Sequence, residues 1–80
     1  MKIQVLFFGI TTDLVGSSTL ELNIVDVATV ADFKKSLKEK YHQLENLNSY
    51  AIAVNESYAA DNLLLKESDV VAVIPPVSGG

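Results

Sequence analysis

Val70-Val71-Ala72-Val73-Ile74, halted by Pro75-Pro76, is the most constraining stretch of this 80-residue sequence. The run is apolar without interruption and mostly β-branched, the pattern of a strand lying inside a sheet rather than at its edge. Proline cannot donate to a β-ladder, so the strand must end at Ile74. A central strand needs neighbours on both sides. Lys2–Phe8 offers one, with Ile3, Val5 and Phe7 on one face and Gln4, Leu6 and Phe8 on the other. If Val71 and Val73 share the covered face with Ile3, Val5 and Phe7, then Val70, Ala72 and Ile74 lie beside Leu6 and Phe8.

Between these two strands the pattern changes period twice. Thr11, Thr12, Asp13, Gly16, Ser17 and Ser18 form a polar cluster that predicts a loop. Leu20-Glu21-Leu22-Asn23-Ile24 alternates and predicts a half-buried strand returning along the first. Thr29 is placed to cap a helix, with Asp32 three residues on as its capping-box partner and a favourable charge at the positive end of the helix. Val30, Phe33, Leu37, Tyr41 and Leu44 follow at helical spacing, and the helix should fade around residues 42–46. Asn46, Asn48 and Ser49 signal a turn. Tyr50–Val54 predicts a third strand and Tyr58 a short fourth, while Leu63, Leu64 and Leu65 read as an apolar plug.

The order strand, strand, helix, strand, short strand, strand describes an α+β roll. Its mixed sheet has four to five strands, with one main helix packed on one face. First and last strands run parallel at the centre, joined by the crossover that carries the helix. This is the ubiquitin-like β-grasp arrangement. The reading divides the chain into one domain over residues 1–76 and a flexible Gly-Gly tail over 77–80.

Composition removes most chemistries. No Cys and one His exclude a thiol nucleophile, a disulfide framework and a Cys/His zinc site. No Ser/His/Asp set can be assembled with confidence around His42, and no Gly-rich phosphate loop is present. His42 reads as a solvated residue near the helix end. A net charge of −4 without a single Arg argues against nucleic acid. No apolar run approaches the ~18 residues of a membrane span. The opening residues are too short for a signal peptide, so the expectation is a cytoplasmic protein. Lys34, Lys35, Lys38 and Lys40 read as a solvated helix face, with docking of an acidic partner as the alternative.

The end of the chain carries the chemistry. Pro75-Pro76-Val77-Ser78-Gly79-Gly80 leaves directly from the central strand. Pro-Pro stiffens the exit, and six residues at ~3.3 Å each reach roughly 20 Å, enough to enter another protein's pocket. Two glycines leave the Gly80 carboxylate free of side-chain hindrance. A carboxylate is inert as a sulfur donor until an adenylating partner activates it. A sulfur nucleophile would then open the acyl-adenylate to a thiocarboxylate. Leu6 and Phe8, with Val70, Ala72 and Ile74, form an apolar patch on the side from which the tail leaves. Either this patch is an interface or a loop covers it.

Val5-Leu6-Phe7-Phe8, Ala53-Val54-Asn55 and Asp69-Val70-Val71-Ala72, running into Pro75-Pro76-Val77-Ser78-Gly79-Gly80, resemble the MoaD family, the small subunit of molybdopterin synthase, over the whole chain. The resemblance implies a sulfur carrier of molybdenum cofactor biosynthesis. In such a carrier Gly80 is adenylated by an E1-like adenylyltransferase/sulfurtransferase using ATP and converted to a thiocarboxylate. The tail then enters the large synthase subunit, which is expected to hold the catalytic residues, and sulfur passes to cyclic pyranopterin monophosphate. The synthase is typically a heterotetramer. Carried over here, Gly80 bears the sulfur and Gly79 gives clearance. Leu6, Phe8, Ala72 and Ile74 face the partner along with Pro75, Pro76, Val77 and Ser78, and no cofactor is bound permanently. Competing readings are a sulfur carrier of another pathway, such as thiamin biosynthesis, a ubiquitin-type protein modifier, or an interaction module without terminal chemistry. The family commonly has Gly where this chain has Glu56 and Ser68; a left-handed backbone at either would cost roughly 1 kcal/mol.

Overall fold

The chain forms β1 (Lys2–Phe7), α1 (Ile10–Val15), β2 (Thr19–Asn23), α2 (Val30–Lys40), β3 (Ala51–Val54), β4 (Ser57–Tyr58) and β5 (Val70–Ile74). The computed structural model describes residues 1–42, 44 and 50–75. β5 is the middle strand of a five-stranded sheet of order β2-β1-β5-β3-β4, parallel to β1 and antiparallel to β3. Val5 pairs with Val71 and Phe7 with Val73, so the two apolar patterns fall in phase. The first and last strands are therefore parallel neighbours at the centre, as the β-grasp reading requires.

The covered face is built by period. Ile3, Val5, Val71 and Val73 are wholly buried, and Phe7, Ile52 and Val54 nearly so. Val30, Phe33 and Leu37 of α2 meet them with no exposure, joined by Leu22, Leu44 and Leu65. Each such side chain contributes about 1.5–3 kcal/mol by leaving water. α2 begins where the sequence places it. The Thr29 hydroxyl accepts from the Asp32 N–H at 3.3 Å, and the Thr29 N–H donates to the Asp32 carboxylate at 2.9 Å. Both arms of the capping box are present. Donation to that carboxylate, from the Thr29 N–H foremost and from the Thr29 hydroxyl at 3.1 Å, holds the Asp32 carboxyl below its ordinary pKa.

Three expectations are corrected. The cluster read as a loop after β1 folds into the short helix α1. Glycines set both its ends: Gly9 enters at φ 57° and ψ −135°, and Gly16 leaves at φ 84°, its N–H donating to Thr12 O at 2.8 Å. Thr11 is buried there, accepting from the Phe8 N–H at 3.0 Å and donating to the Phe8 carbonyl. The main helix stops at Lys40 rather than 42–46, since Tyr41 leaves helical backbone (φ −127°, ψ 89°) and its N–H closes the last turn on Leu37 O at 2.8 Å. Of the three leucines expected to plug the core only Leu65 does so; Leu63 and Leu64 stay exposed because this segment runs along the rim, where Leu64 bridges Thr29. The turn assigned to Asn46, Asn48 and Ser49 lies outside the described residues.

Asn55 and Glu56 join β3 to β4 as a two-residue turn, both at positive φ (50° and 74°). That is the dihedral sign pattern of a type I′ hairpin, whose second position favours glycine. Ser68, before β5, is also left-handed at φ 69°.

Candidate functional site

The sheet face away from α2 has no element of the described residues packed over it. Its two halves differ in chemistry. Beside β2 it is polar: Lys2 Nζ pairs with Glu21 at 3.0 Å, with Gln4 and Thr19 alongside. The hydrogen bond and charge of Glu21 raise the Lys2 pKa above its ordinary value. Across β1 and β5 the face turns apolar. Leu6, Phe8, Val70, Ala72 and Ile74 line a groove of about 580 Å³ together with Ala53, Tyr58, Asn55 and Glu56.

Register explains the groove. Leu6 lies opposite Ala72, and Ala72 opposite Ala53, so small residues form the floor while Phe8, Ile74 and Tyr58 stand as walls. Phe8 is 50% exposed and Tyr58 78% exposed, a large aromatic surface in water for so small a domain. Such volume falls in the range of small-molecule sites. Its polar groups, however, are confined to the rim around the β3–β4 turn rather than converging on one point. Aromatic walls, an apolar floor and a polar rim are the anatomy of a protein–protein contact.

The chain leaves this face at one end of the groove. Pro75 is half-buried against Gly9, where a Cβ would lie 3.1 Å from Pro75 Cγ. The turn after β1 and the exit of β5 are thus fitted to each other at Gly9 and Pro75. The structure brings Leu6, Phe8, Ala72, Ile74 and Pro75 together at this place. Pro76, Val77, Ser78, Gly79 and Gly80 lie outside the described residues. Ala53, Tyr58, Asn55 and Glu56 were missing from the sequence-derived patch; the pairing of β3 with β5 was needed to place them, and no spacing in Tyr50–Tyr58 announces it.

Of the remaining candidates, Lys34 has a structural role. Lys34 Nζ pairs with Asp61 at 2.8 Å and stands 5.6 Å from the Tyr50 ring centroid, bracing α2 against the loop that precedes β5. His42 is exposed. Among the described residues no group of His, Cys, Asp or Glu could hold a metal ion, and no helix is long and apolar enough to cross a membrane.

A ubiquitin-like β-grasp domain with an open apolar face at the exit of its last strand is the class that these features define. The chain belongs to the ThiS family, whose profile matches residues 5–80. It is 33% identical over 81 residues to the molybdopterin synthase sulfur carrier subunit of Arabidopsis thaliana, covering all of this chain and 84% of that protein. Its fold matches SAMP1 from Haloferax volcanii with a TM-score of 0.89 at 25% identity over the full length of both chains. It also matches a chain in the complex of subunits 1 and 2 of the molybdopterin-converting factor from Helicobacter pylori, with a TM-score of 0.71 at 30% identity, again over both full lengths.

Proposed function

We propose that this chain is the sulfur-carrier subunit of a molybdopterin synthase, with Gly80 as the atom-bearing residue and the open face as its docking surface. The observation that carries this reading is the union of a solvent-exposed apolar groove with a chain exit at its end, in a family whose curated relatives are named sulfur carriers. In the H. pylori complex a related subunit is assembled with a second one, which supports a large-subunit partner here.

The chemistry requires little of the carrier itself. A Gly80 carboxylate oxygen attacks the α-phosphorus of ATP on an E1-like activating enzyme, and pyrophosphate leaves. Hydrosulfide, or an equivalent sulfur nucleophile, then attacks the acyl carbon and AMP departs, leaving Gly80 as a thiocarboxylate. Docked on the large subunit, that sulfur attacks a side-chain carbon of cyclic pyranopterin monophosphate, and a C–O bond to its cyclic phosphate breaks, leaving the phosphate attached as a monoester. Hydrolysis of the resulting acyl–sulfur bond returns the carboxylate. Gly79 keeps the path to the carbonyl clear, and Pro75 through Ser78 span the distance. The catalytic side chains belong to the large subunit, ATP belongs to the activating step, and the site of action is the cytoplasm.

The absence of cysteine makes the test direct. Incubated with its activating enzyme, ATP and a sulfur source, then treated with iodoacetamide at mildly acidic pH, the protein should gain one alkyl label on Gly80 in fragment mass spectra. An unlabelled Gly80 beside an active enzyme would reject the carrier. The likeness to SAMP1 favours a second reading, in which activated Gly80 is passed to a lysine. Isopeptide-linked products without sulfur transfer would select it.

A further inference from the structure

Among the described residues three non-glycines have left-handed backbone, and they are not equivalent. Asn55 offsets its conformation with its side chain, whose Oδ1 accepts from the Val70 N–H at 3.0 Å and whose Nδ2 donates to Asp69 at 3.0 Å. Ser68 sits outside the groove, on the polar cleft beside Lys2 and Gln4. Glu56 has φ 74° at a position that favours glycine, is exposed, and takes part in none of the ion pairs among the described residues. It is also the single charged residue among those lining the apolar groove. Strained backbone clusters at functional sites, and at Glu56 no side-chain bond among the described residues offsets it.

Its place gives the contact a geometry. The tail leaves after Ile74, whereas the Asn55–Glu56 turn lies beside Val70 at the other end of β5, through the Asn55 N–H to Val70 O bond of 2.8 Å. Four residue steps of strand separate the two ends by about 13 Å. We propose that Glu56 is a specificity contact of this face. It meets a Lys or Arg side chain of the large subunit and fixes the orientation in which the tail is presented. This rests on the docking reading above. A lone carboxylate on an apolar groove orients encounter and rejects acidic partners more than it adds affinity.

Stopped-flow association with the purified large subunit at low and high salt tests this, alongside thermal unfolding. Glu56→Gln should associate about 3–10-fold more slowly at low salt, the gap closing at high salt, with Tm unchanged. Glu56→Gly should show the same kinetic defect while melting higher, by about 4 °C, because glycine relieves the backbone. Glu56→Lys should be slower still. A Glu56→Gln protein that associates at the wild-type rate at low salt overturns the proposal. Phe8→Ser separates the two readings. Wild type failing to bind the large subunit removes the docking reading and this inference with it. Binding that Phe8→Ser abolishes and Glu56→Gln leaves unchanged removes this inference alone.

Discussion

β5 presents hydrophobic residues to both sides of the sheet, yet the two sides meet different fates. Val71 and Val73 are wholly buried against α2, whereas Ala72 and Ile74, one residue away along the same strand, remain partly in water beside the half-exposed Phe8. The covered side is filled by residues of this chain. The open side has the same apolar character, with nothing of the described residues laid over it. Burial within the domain therefore explains the first set and leaves the second to be explained by a partner.

If this contrast is right, the largest effect on stability should come from the covered side. Phe33→Ala should cost about 3–5 kcal/mol in urea unfolding, comparable with the whole stability of many small domains. A loss below about 1 kcal/mol would mean that the two faces are not so different. Phe8→Ser should do the converse. Unfolding should move by no more than about 0.5 kcal/mol, while affinity for the large subunit, measured by calorimetry, should fall at least about tenfold. Thr29→Ala sharpens the contrast, since it loosens the covering helix without touching the open face. It should lower stability by about 1 kcal/mol and leave the affinity of the folded protein unchanged.

The smallest effect is expected in acid. Donation from the Thr29 N–H and hydroxyl lowers the folded-state pKa of Asp32. A lowered carboxyl stabilises the fold above its unfolded value near about 3.9 and loses that contribution as pH falls through the folded value. Asp32→Ala should therefore flatten the acid limb of a stability–pH profile below about pH 4, and binding of folded protein above it should not change.

Most of this contrast was legible in the sequence because it depends on periods. The uninterrupted run from Val70 to Ile74 marks a central strand and the alternation from Ile3 to Phe7 marks its covered face, and the structure pairs Val5 with Val71 and Phe7 with Val73 on that face. The Thr29–Asp32 box was equally readable, being local. What escaped was short or tertiary. α1 has only six residues, with Thr11, Thr12 and Asp13 suited to turns; its ends depend on the positive φ of Gly9 and Gly16, and Gly9 also meets Pro75, remote in sequence. The rim position of Leu63 and Leu64 follows from the bridge to Thr29, which no spacing announces. At the candidate site, Leu6, Phe8, Ala72 and Ile74 were found by alternation, while Tyr58 and Glu56 required the β3–β5 pairing. The family's usual glycines at Glu56 and Ser68 flagged both turns without fixing their geometry, and both residues have left-handed backbone.

The central position of β5 has a mechanical consequence. A partner that draws the tail inward while gripping the open face pulls along the axis of β5. That strand is held by ladders on both sides, Gln4 to Phe7 of β1 on one and Ala51 to Val54 of β3 on the other. The force runs parallel to these strands and across their hydrogen bonds, so it loads the bonds together in shear instead of peeling them open one at a time. The domain can act as a rigid handle, transmitting tension from its anchored face to the carboxyl end without itself coming undone.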